Sequence, residues 1–493
     1  MNKIYESTRD KNERIEPAKA ILQGLSNDGG LFVLSDLTSR KLDISSLIDK
    51  DYYKIAQDVV SIFLDDFTKE EIKDCVYNAY KGKFSNDEIT PLVKLNDAYV
   101  LELFHGPTSA FKDIGLSMLP QLTSTALKKT DVDYDVLILT ATSGDTGKAA
   151  LEGFKDVDRT KIMVFYPNDG VSKVQETQMK TQQGKNVEVC AIEGNFDDAQ
   201  TGIKKMFVDD SFKADLAKEN IRLSSANSIN IGRLIPQIVY YFYAYAQLVK
   251  TGEIKAGDKI NYIVPTGNFG NILAGYYAKQ IGLPVNKLVC ASNDNNVLYD
   301  FIQSGEYNRK RNFLKTISPS MDILISSNLE RLLYYASGCD SAYIKEVMEE
   351  LNAKGSYKVK QDILKVIQKD FACGYATNEE TAKTIKTVYE KEQYLLDPHT
   401  AVAYKVLLDD IDKEHKNVVL ATASPYKFTD SVYHSIYGED DGNEFELMKK
   451  LNEETKVVIP KNLQDLDLLP VLHEDIIEKE KMKEFIIRNL KEI

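Results

Sequence analysis

The chain has 493 residues, with 62 lysines and arginines against 75 aspartates and glutamates, a formal net charge of −13 at pH 7. That balance excludes an extended basic surface of the kind that holds nucleic acid or anionic membranes. The 43% hydrophobic fraction excludes global disorder, and at roughly 150 residues per domain the length predicts about three structural units that bury their own cores.

Cys75, Cys190, Cys290, Cys339 and Cys373 are widely spaced and never form a C-x-x-C pair, which predicts neither a disulfide framework nor a zinc site, and a reducing compartment. His105, His399, His415, His434 and His473 are equally dispersed, so no metal is expected. The opening MNKIYESTRDKNERIEP lacks the apolar core of a secretory signal. The longest apolar stretch, residues 234–249, falls short of the roughly 18 residues of a membrane span and is broken by Pro236 and Gln237. A cytoplasmic protein without membrane or nucleic-acid partners is expected.

In chain order, residues 1–95 read as helical segments at 16–25, 52–64 and 68–80, and form an amino-terminal domain. From residue 134 one phrase repeats: a short β-branched run, a turn rich in Gly, Ser or Asn, then a helical pattern. This is the signature of βα units on a mainly parallel sheet. Strands are predicted at 135–141, 161–166, 186–192, 221–225, 259–265, 287–292 and 417–422, and helices at 147–155, 171–183, 197–207, 230–250, 271–281 and 400–411. Residues 306–392 are lysine-rich and read as mostly helical, with helices at 361–371 and 378–391, an expected insertion in the α/β body. The tail ends in MKEFIIRNLKEI, read as a solvated amphipathic helix. No repeat of roughly 20–50 residues is present, which excludes a solenoid.

Three loops carry chemistry. Thr266-Gly267-Asn268-Phe269-Gly270-Asn271 lies between a strand and a helix, where unpaired N–H groups and the positive helix end make a phosphate cradle; the same glycines also suit a tight βα turn. Thr142-Ser143-Gly144-Asp145-Thr146-Gly147 occupies an equivalent position. It fails the G-x-x-x-x-G-K-[ST] pattern at Thr142 and Ala149, and its hydroxyls and N–H groups suit either a small anion such as a carboxylate or a helix cap. In HGPTSAFKDIG, Lys112 stands between Phe111 and Ile114, and a lysine held among apolar neighbours becomes a competent amine nucleophile, although most lysines are surface charges. An amine beside a phosphate cradle and a carboxylate cradle is what a pyridoxal phosphate enzyme acting on an amino acid requires.

The runs HGPTSAFKDIG, TATSGDTGKAA, SANSINIGRL, VPTGNFGN, LDPHTAVAY and ATASPYKF, in that order, resemble the threonine synthase family, and the opening TRDKNER…LQGL…DGGLF is similar to the amino-terminal segment of its longer class. The resemblance implies a fold type II pyridoxal phosphate enzyme, tryptophan synthase β-like, with two parallel-sheet α/β lobes and an additional amino-terminal domain. It divides the chain into residues 1–95, a catalytic body at 96–440 and a tail at 441–493. Within the body it places a mobile smaller lobe at about 113–234 and a larger lobe at about 235–440. No effector domain ahead of the family match is expected, and a monomer or homodimer is.

The implied reaction converts O-phospho-L-homoserine and water into L-threonine and inorganic phosphate. Lys112 would carry the cofactor covalently and move the protons. Gly267, Asn268, Phe269, Gly270 and Asn271 would hold the cofactor phosphate, and Thr422 would place its hydroxyl on the pyridine nitrogen. Thr142, Ser143, Gly144, Asp145 and Thr146 would take the substrate carboxylate, with Thr146 alternatively reaching the substrate phosphate. Asn227, Ser228 and Arg233 would take the substrate phosphate, a dianion suited to an arginine fork with amide and hydroxyl donors; Asn230 reads equally as a helix cap. The chain departs from the family at Ser424, where a histidine is common. The rival readings are another lyase of the same fold, such as a serine or threonine dehydratase, and a non-catalytic protein on the same scaffold.

Overall fold

The computed structural model describes residues 5–493 apart from Ser143, Ile411, Glu492 and the side chain of Asp197. At the amino terminus β1 (Tyr5–Ser7) pairs antiparallel with both β2 (Arg14–Ile15) and β3 (Phe32–Val33). Strands of two or three residues carry no readable alternation, and this sheet was not expected. The helices Pro17–Gln23, Tyr52–Phe63 and Lys69–Tyr80 stand where expected. Tyr52, Ile55, Ala56, Val59, Val60 and Phe63 recur at helical spacing and are all buried, which docks the second helix. Thr68 and Glu71 close a capping box that starts the third.

The hairpin β4 (Leu92–Lys94) and β5 (Tyr99–Glu102) leads to the helix Lys112–Lys129. That helix is buried almost all round, and its Pro120 leaves the Leu116 carbonyl without a backbone N–H partner at the usual spacing. Gly153 of the helix Asp145–Phe154 packs on that oxygen: a Cβ there would stand 1.9 Å from it, so only glycine permits this approach.

The seven expected strands are present as β6 (Asp135–Ala141), β7 (Thr160–Pro167), β8 (Val187–Glu193), β9 (Ile221–Ser224), β10 (Ile260–Pro265), β11 (Val285–Ser292) and, further on, β15 (Lys416–Ala421). They build two sheets. The expected helix 230–250 is instead two, Ile231–Leu234 and Pro236–Lys250, divided at Pro236, with Gln237 Nε2 donating to the Arg233 carbonyl at 2.9 Å.

Residues 306–392, expected as mostly helical, contain the antiparallel pair β12 (Glu306–Asn308) and β13 (Ser356–Lys358) and also β14 (Phe371–Tyr375), which pairs parallel with β11. The large sheet runs β14-β11-β10-β15-β5-β4, parallel except at β4. A second correction concerns the tail. β16 (Ile476–Glu478) joins β8, giving the all-parallel order β16-β8-β7-β6-β9. The final helix, Met482–Asn489, is amphipathic as expected but docked: Met482, Phe485 and Ile486 are buried with Met163, Phe165 and Cys190 in the core of the small sheet. Its outer face, including Ile487, meets water.

Phe485 meets Phe165 edge to face at 5.8 Å. Phe485→Ala is therefore expected to cost about 3 kcal/mol of stability, measured as a lowered denaturation midpoint.

Candidate active site

Lys112 opens its helix at the junction of the two sheets. The loop before it is zipped to the segment after β15: Phe111 N donates to the Thr422 carbonyl at 2.8 Å, Ser424 N to the Ser109 carbonyl at 3.0 Å, and Ala110 bridges Ala423. Ser109 holds φ at 60°, a left-handed conformation unusual for a residue with a Cβ, and its hydroxyl donates to Asn462 Oδ1 at 2.9 Å. Asp113 fixes the first turn by accepting from Thr108 N at 2.8 Å and Thr108 Oγ1 at 2.5 Å. Burial pushes the Asp113 carboxyl up to about 6 against those hydrogen bonds.

The Lys112 side chain is 10% exposed; its Nζ lies 3.4 Å from Asp145 Oδ2, 3.5 Å from Ser320 Oγ and 4.9 Å from the centre of the Phe111 ring. Burial lowers its pKa, and the nearby Arg233 and Lys427 charges act in the same direction while Asp145 opposes them. Asp145 also accepts from Lys427 Nζ at 2.7 Å and Gln175 Nε2 at 2.9 Å. Burial alone would raise this carboxyl, but the two ammonium groups outweigh it and hold it well below the usual carboxylate range.

The glycine loop follows β10. Phe269, at φ 62°, turns the chain into the helix Gly270–Gln280. A Cβ on Gly267 would stand 3.0 Å from the Ser320 carbonyl, and one on Gly270 would stand 3.3 Å from Ser228 Cβ. The Gly267 carbonyl accepts from Ser326 Oγ at 2.8 Å and the Asn268 carbonyl from Asn328 N and Nδ2, both at 3.2 Å. Asn271 Oδ1 accepts from the hydroxyls of Tyr240 (2.5 Å) and Tyr241 (3.1 Å), while its buried Nδ2 has no partner. An orphaned buried donor in the first turn of a helix is an invitation to an anion.

Beside it, Ser228 Oγ accepts from Asn328 Nδ2 at 3.0 Å, and the backbone of Asn227 is held by Ser225 Oγ and Asn230 N. Asn230 is a cap: its Oδ1 accepts from Gly232 N at 2.9 Å, and its Nδ2 donates to the carbonyls of Ile21 and Ser225. Arg233 is buried, and among the described residues its side chain makes one hydrogen bond, from Nη1 to the Ala226 carbonyl at 2.8 Å. Burial brings its guanidinium down to about 10. The remaining donors of a charged fork thus have no carboxylate partner among the described residues.

In the other loop the Thr142 hydroxyl is committed internally, accepting from Gly144 N at 3.0 Å and Gly147 N at 2.9 Å. That realises the capping alternative for Thr142. Gly144, at φ 130°, lies against Gln175, and Thr146 sits in the first turn of the next helix; Ser143 is outside the described residues. Thr422 stands beside Phe111, its N donating to Thr400 Oγ1 at 3.2 Å.

Sequence reasoning missed Lys427, Gln175, Ser320 and Asn328. Lys427 had a signal, the same apolar flanking in PYKF that singled out Lys112 in AFKDI. Ser320 and Asn328 had none, because they come from the stretch read as an insertion. Ser424 accepts from Tyr426 N at 3.3 Å and caps a turn, and a buried imidazole comes instead from His399, whose Nε2 accepts from Ser320 N at 3.1 Å while Nδ1 faces Asp397 Oδ1 at 2.8 Å.

Comparison with known proteins identifies the family. Residues 4–80 match the family described as threonine synthase N terminus, residues 85–423 that of pyridoxal-phosphate dependent enzymes, and residues 400–486 that of threonine synthase, C-terminal. The threonine synthase of Saccharomyces cerevisiae is 37% identical over 89% of this chain and 90% of its own length, and that of Pseudomonas aeruginosa 38% identical over 88% and 91%. Human threonine synthase-like 1 is 37% identical over 95% of this chain, which spans 63% of that longer protein. Among solved structures, the pyridoxal phosphate-bound threonine synthase of Brucella melitensis superposes with a TM-score of 0.88 at 37% identity, covering 99% of both chains; the yeast enzyme gives 0.88 at 34%, covering 100% of this chain and 99% of its own. The residues present fit that cofactor: a dry amine at Lys112, and a glycine cradle whose Asn271 amide lacks a partner. The chain belongs to the threonine synthase family of pyridoxal phosphate-dependent enzymes.

Proposed function

We propose that this chain releases phosphate from O-phospho-L-homoserine and adds water to give L-threonine. The observation that carries the reading is a second anion site. Besides the cradle at Gly267–Asn271, the buried Arg233 makes one side-chain hydrogen bond, to the Ala226 carbonyl, and has no carboxylate partner among the described residues. A hydroxy amino acid dehydratase has no use for that charge, whereas a substrate with a γ-phosphate needs it.

When bound, pyridoxal phosphate supplies an aldehyde for the amino group and a conjugated ring that accepts the electron pair left at Cα. Gly267, Asn268, Phe269, Gly270 and Asn271 would hold its phosphate, and Thr422 would meet its ring nitrogen. Lys112 holds the cofactor at rest and then moves protons at the substrate Cα and Cβ, work that suits an amine whose charged form is disfavoured. Asn227, Ser228 and Arg233 retain the substrate phosphate through its departure from Cγ. The first turn of Asp145–Phe154, with Thr146 and the Asp145 N–H, orients the carboxylate; Thr142 and Gly144 contribute by shaping that loop, since the Thr142 hydroxyl and the Gly144 N–H are already engaged with each other. Burial of Lys112 shields its amine from bulk water. We place the reaction in the cytoplasm; no helix of the described residues is long and apolar enough to cross a membrane.

Incubation with O-phospho-L-homoserine should yield threonine and phosphate; 2-oxobutanoate as the product would favour the dehydratase reading. Lys112→Ala should abolish both the cofactor absorbance of the lysine adduct and turnover. Gly267→Val, which crowds the Ser320 carbonyl, should weaken cofactor affinity at least tenfold, about 1.4 kcal/mol, in a fluorescence titration. Arg233→Met should raise KM for the phosphorylated substrate by roughly 10- to 100-fold, the range of a lost charge-assisted hydrogen bond, with cofactor absorbance kept.

A further inference from the structure

Lys427 has no role in the reaction as described above, yet it is completely buried. It lies in the turn Pro425–Phe428 that follows β15, and its ammonium contacts Asp145 Oδ1 at 2.7 Å and donates to the Thr108 carbonyl at 2.9 Å. The other oxygen of the same carboxylate faces Lys112 Nζ at 3.4 Å. One carboxylate is thus shared between two buried ammonium positions. The share is unequal, since charge-assisted N–H···O bonds form at about 2.7–2.9 Å and only the Lys427 contact reaches that length.

A carboxylate paired with Lys112 alone would hold it as an ammonium, the form that can neither attack an aldehyde nor accept a proton. A second cation on the far oxygen removes that difficulty in two ways: it takes up the carboxylate, and it places a like charge near the amine. We propose that Lys427 is a positioning residue that draws Asp145 off Lys112 and so keeps the Lys112 amine free to react. The proposal rests on the reading of Lys112 as the reacting amine.

The charged groups facing Lys112 are few. Asp145 comes from the helix Asp145–Phe154, Arg233 from Ile231–Leu234 and Lys427 from its turn. Asp113, next along the Lys112 helix, is occupied by Thr108, and Lys148 pairs with Glu152 at 3.3 Å. Asp145 alone favours the ammonium form, so its partner decides the balance.

The test is the pH dependence of Lys112 acetylation by acetic anhydride in the full-length chain before cofactor is added, read by mass spectrometry. Lys427→Gln keeps an N–H donor for the Thr108 carbonyl without the charge. At neutral pH its Lys112 should label about tenfold more slowly than in the wild type, a midpoint raised by roughly one unit. Lys427→Arg, which keeps the charge, should hold the wild-type midpoint, and Lys427→Gln with Asp145→Asn should return to it, because the carboxylate that would hold the proton is gone. An unchanged midpoint in Lys427→Gln overturns the proposal and leaves the reading of Lys112 standing. Should that variant not fold, a raised midpoint in Lys427→Arg or in the double variant overturns it. If Lys112 of the wild-type chain labels no faster than surface lysines, both the proposal and the reading beneath it fall.

Discussion

A buried ammonium is costly and a paired one is a poor nucleophile, and the structure is organised around keeping the Lys112 amine between those limits. Its side chain is packed on Phe111 with 10% exposure, at the first residue of a long helix whose positive end further disfavours a second positive charge. Among the described residues Asp145 supplies the opposing charge, and it is itself divided between two lysines. Lys427 and Arg233 thus place two cations near the Lys112 amine against the Asp145 carboxylate, an imbalance that an anionic ligand would correct. The net charge of −13 gives no hint of this local excess.

Three regions hold the site from outside it. The amino-terminal domain is bolted on through Tyr80, whose hydroxyl donates to the Ile114 carbonyl at 3.0 Å, and through its Ile21 and Phe32 carbonyls, which accept from Asn230 and Arg331. Arg331 is fully buried and spends its donors on backbone carbonyls and Asn328, so it sets the 228–229 backbone against the glycine cradle. The carboxy-terminal segment reaches both lobes: Asn462 holds the strained Ser109, Leu463 and Leu466 share a core with Tyr426, and β16 completes the small sheet.

The departure at residue 424 is absorbed by the fold. Ser424 is small enough to cap the turn that presents Lys427, and the imidazole nearest the site is that of His399, turned toward the Ser320 turn. With its Nε2 accepting from a backbone N–H, His399 is held as the tautomer protonated on Nδ1, facing Asp397. Its ring buttresses the segment whose Ser320 hydroxyl lies 3.5 Å from the amine.

The amino-acid order by itself determined what local physics can decide. Alternating βα patterns placed β6 to β11 and β15, the Thr68 box started its helix, and glycine-rich turns after β6 and β10 marked two loops, the first of which brings Asp145 to Lys112. Short edge strands such as β14 and β16 escaped, because three to five residues that take their hydrogen bonds from distant partners carry little periodicity of their own. Whether the Thr142 hydroxyl caps or binds, whether the last helix is solvated or docked, and which lysine shares Asp145 were decided only by the tertiary structure. Burial and counter-charge are properties of the packed chain, and Lys427, Ser320 and Asn328 acquire them from residues far away in the sequence.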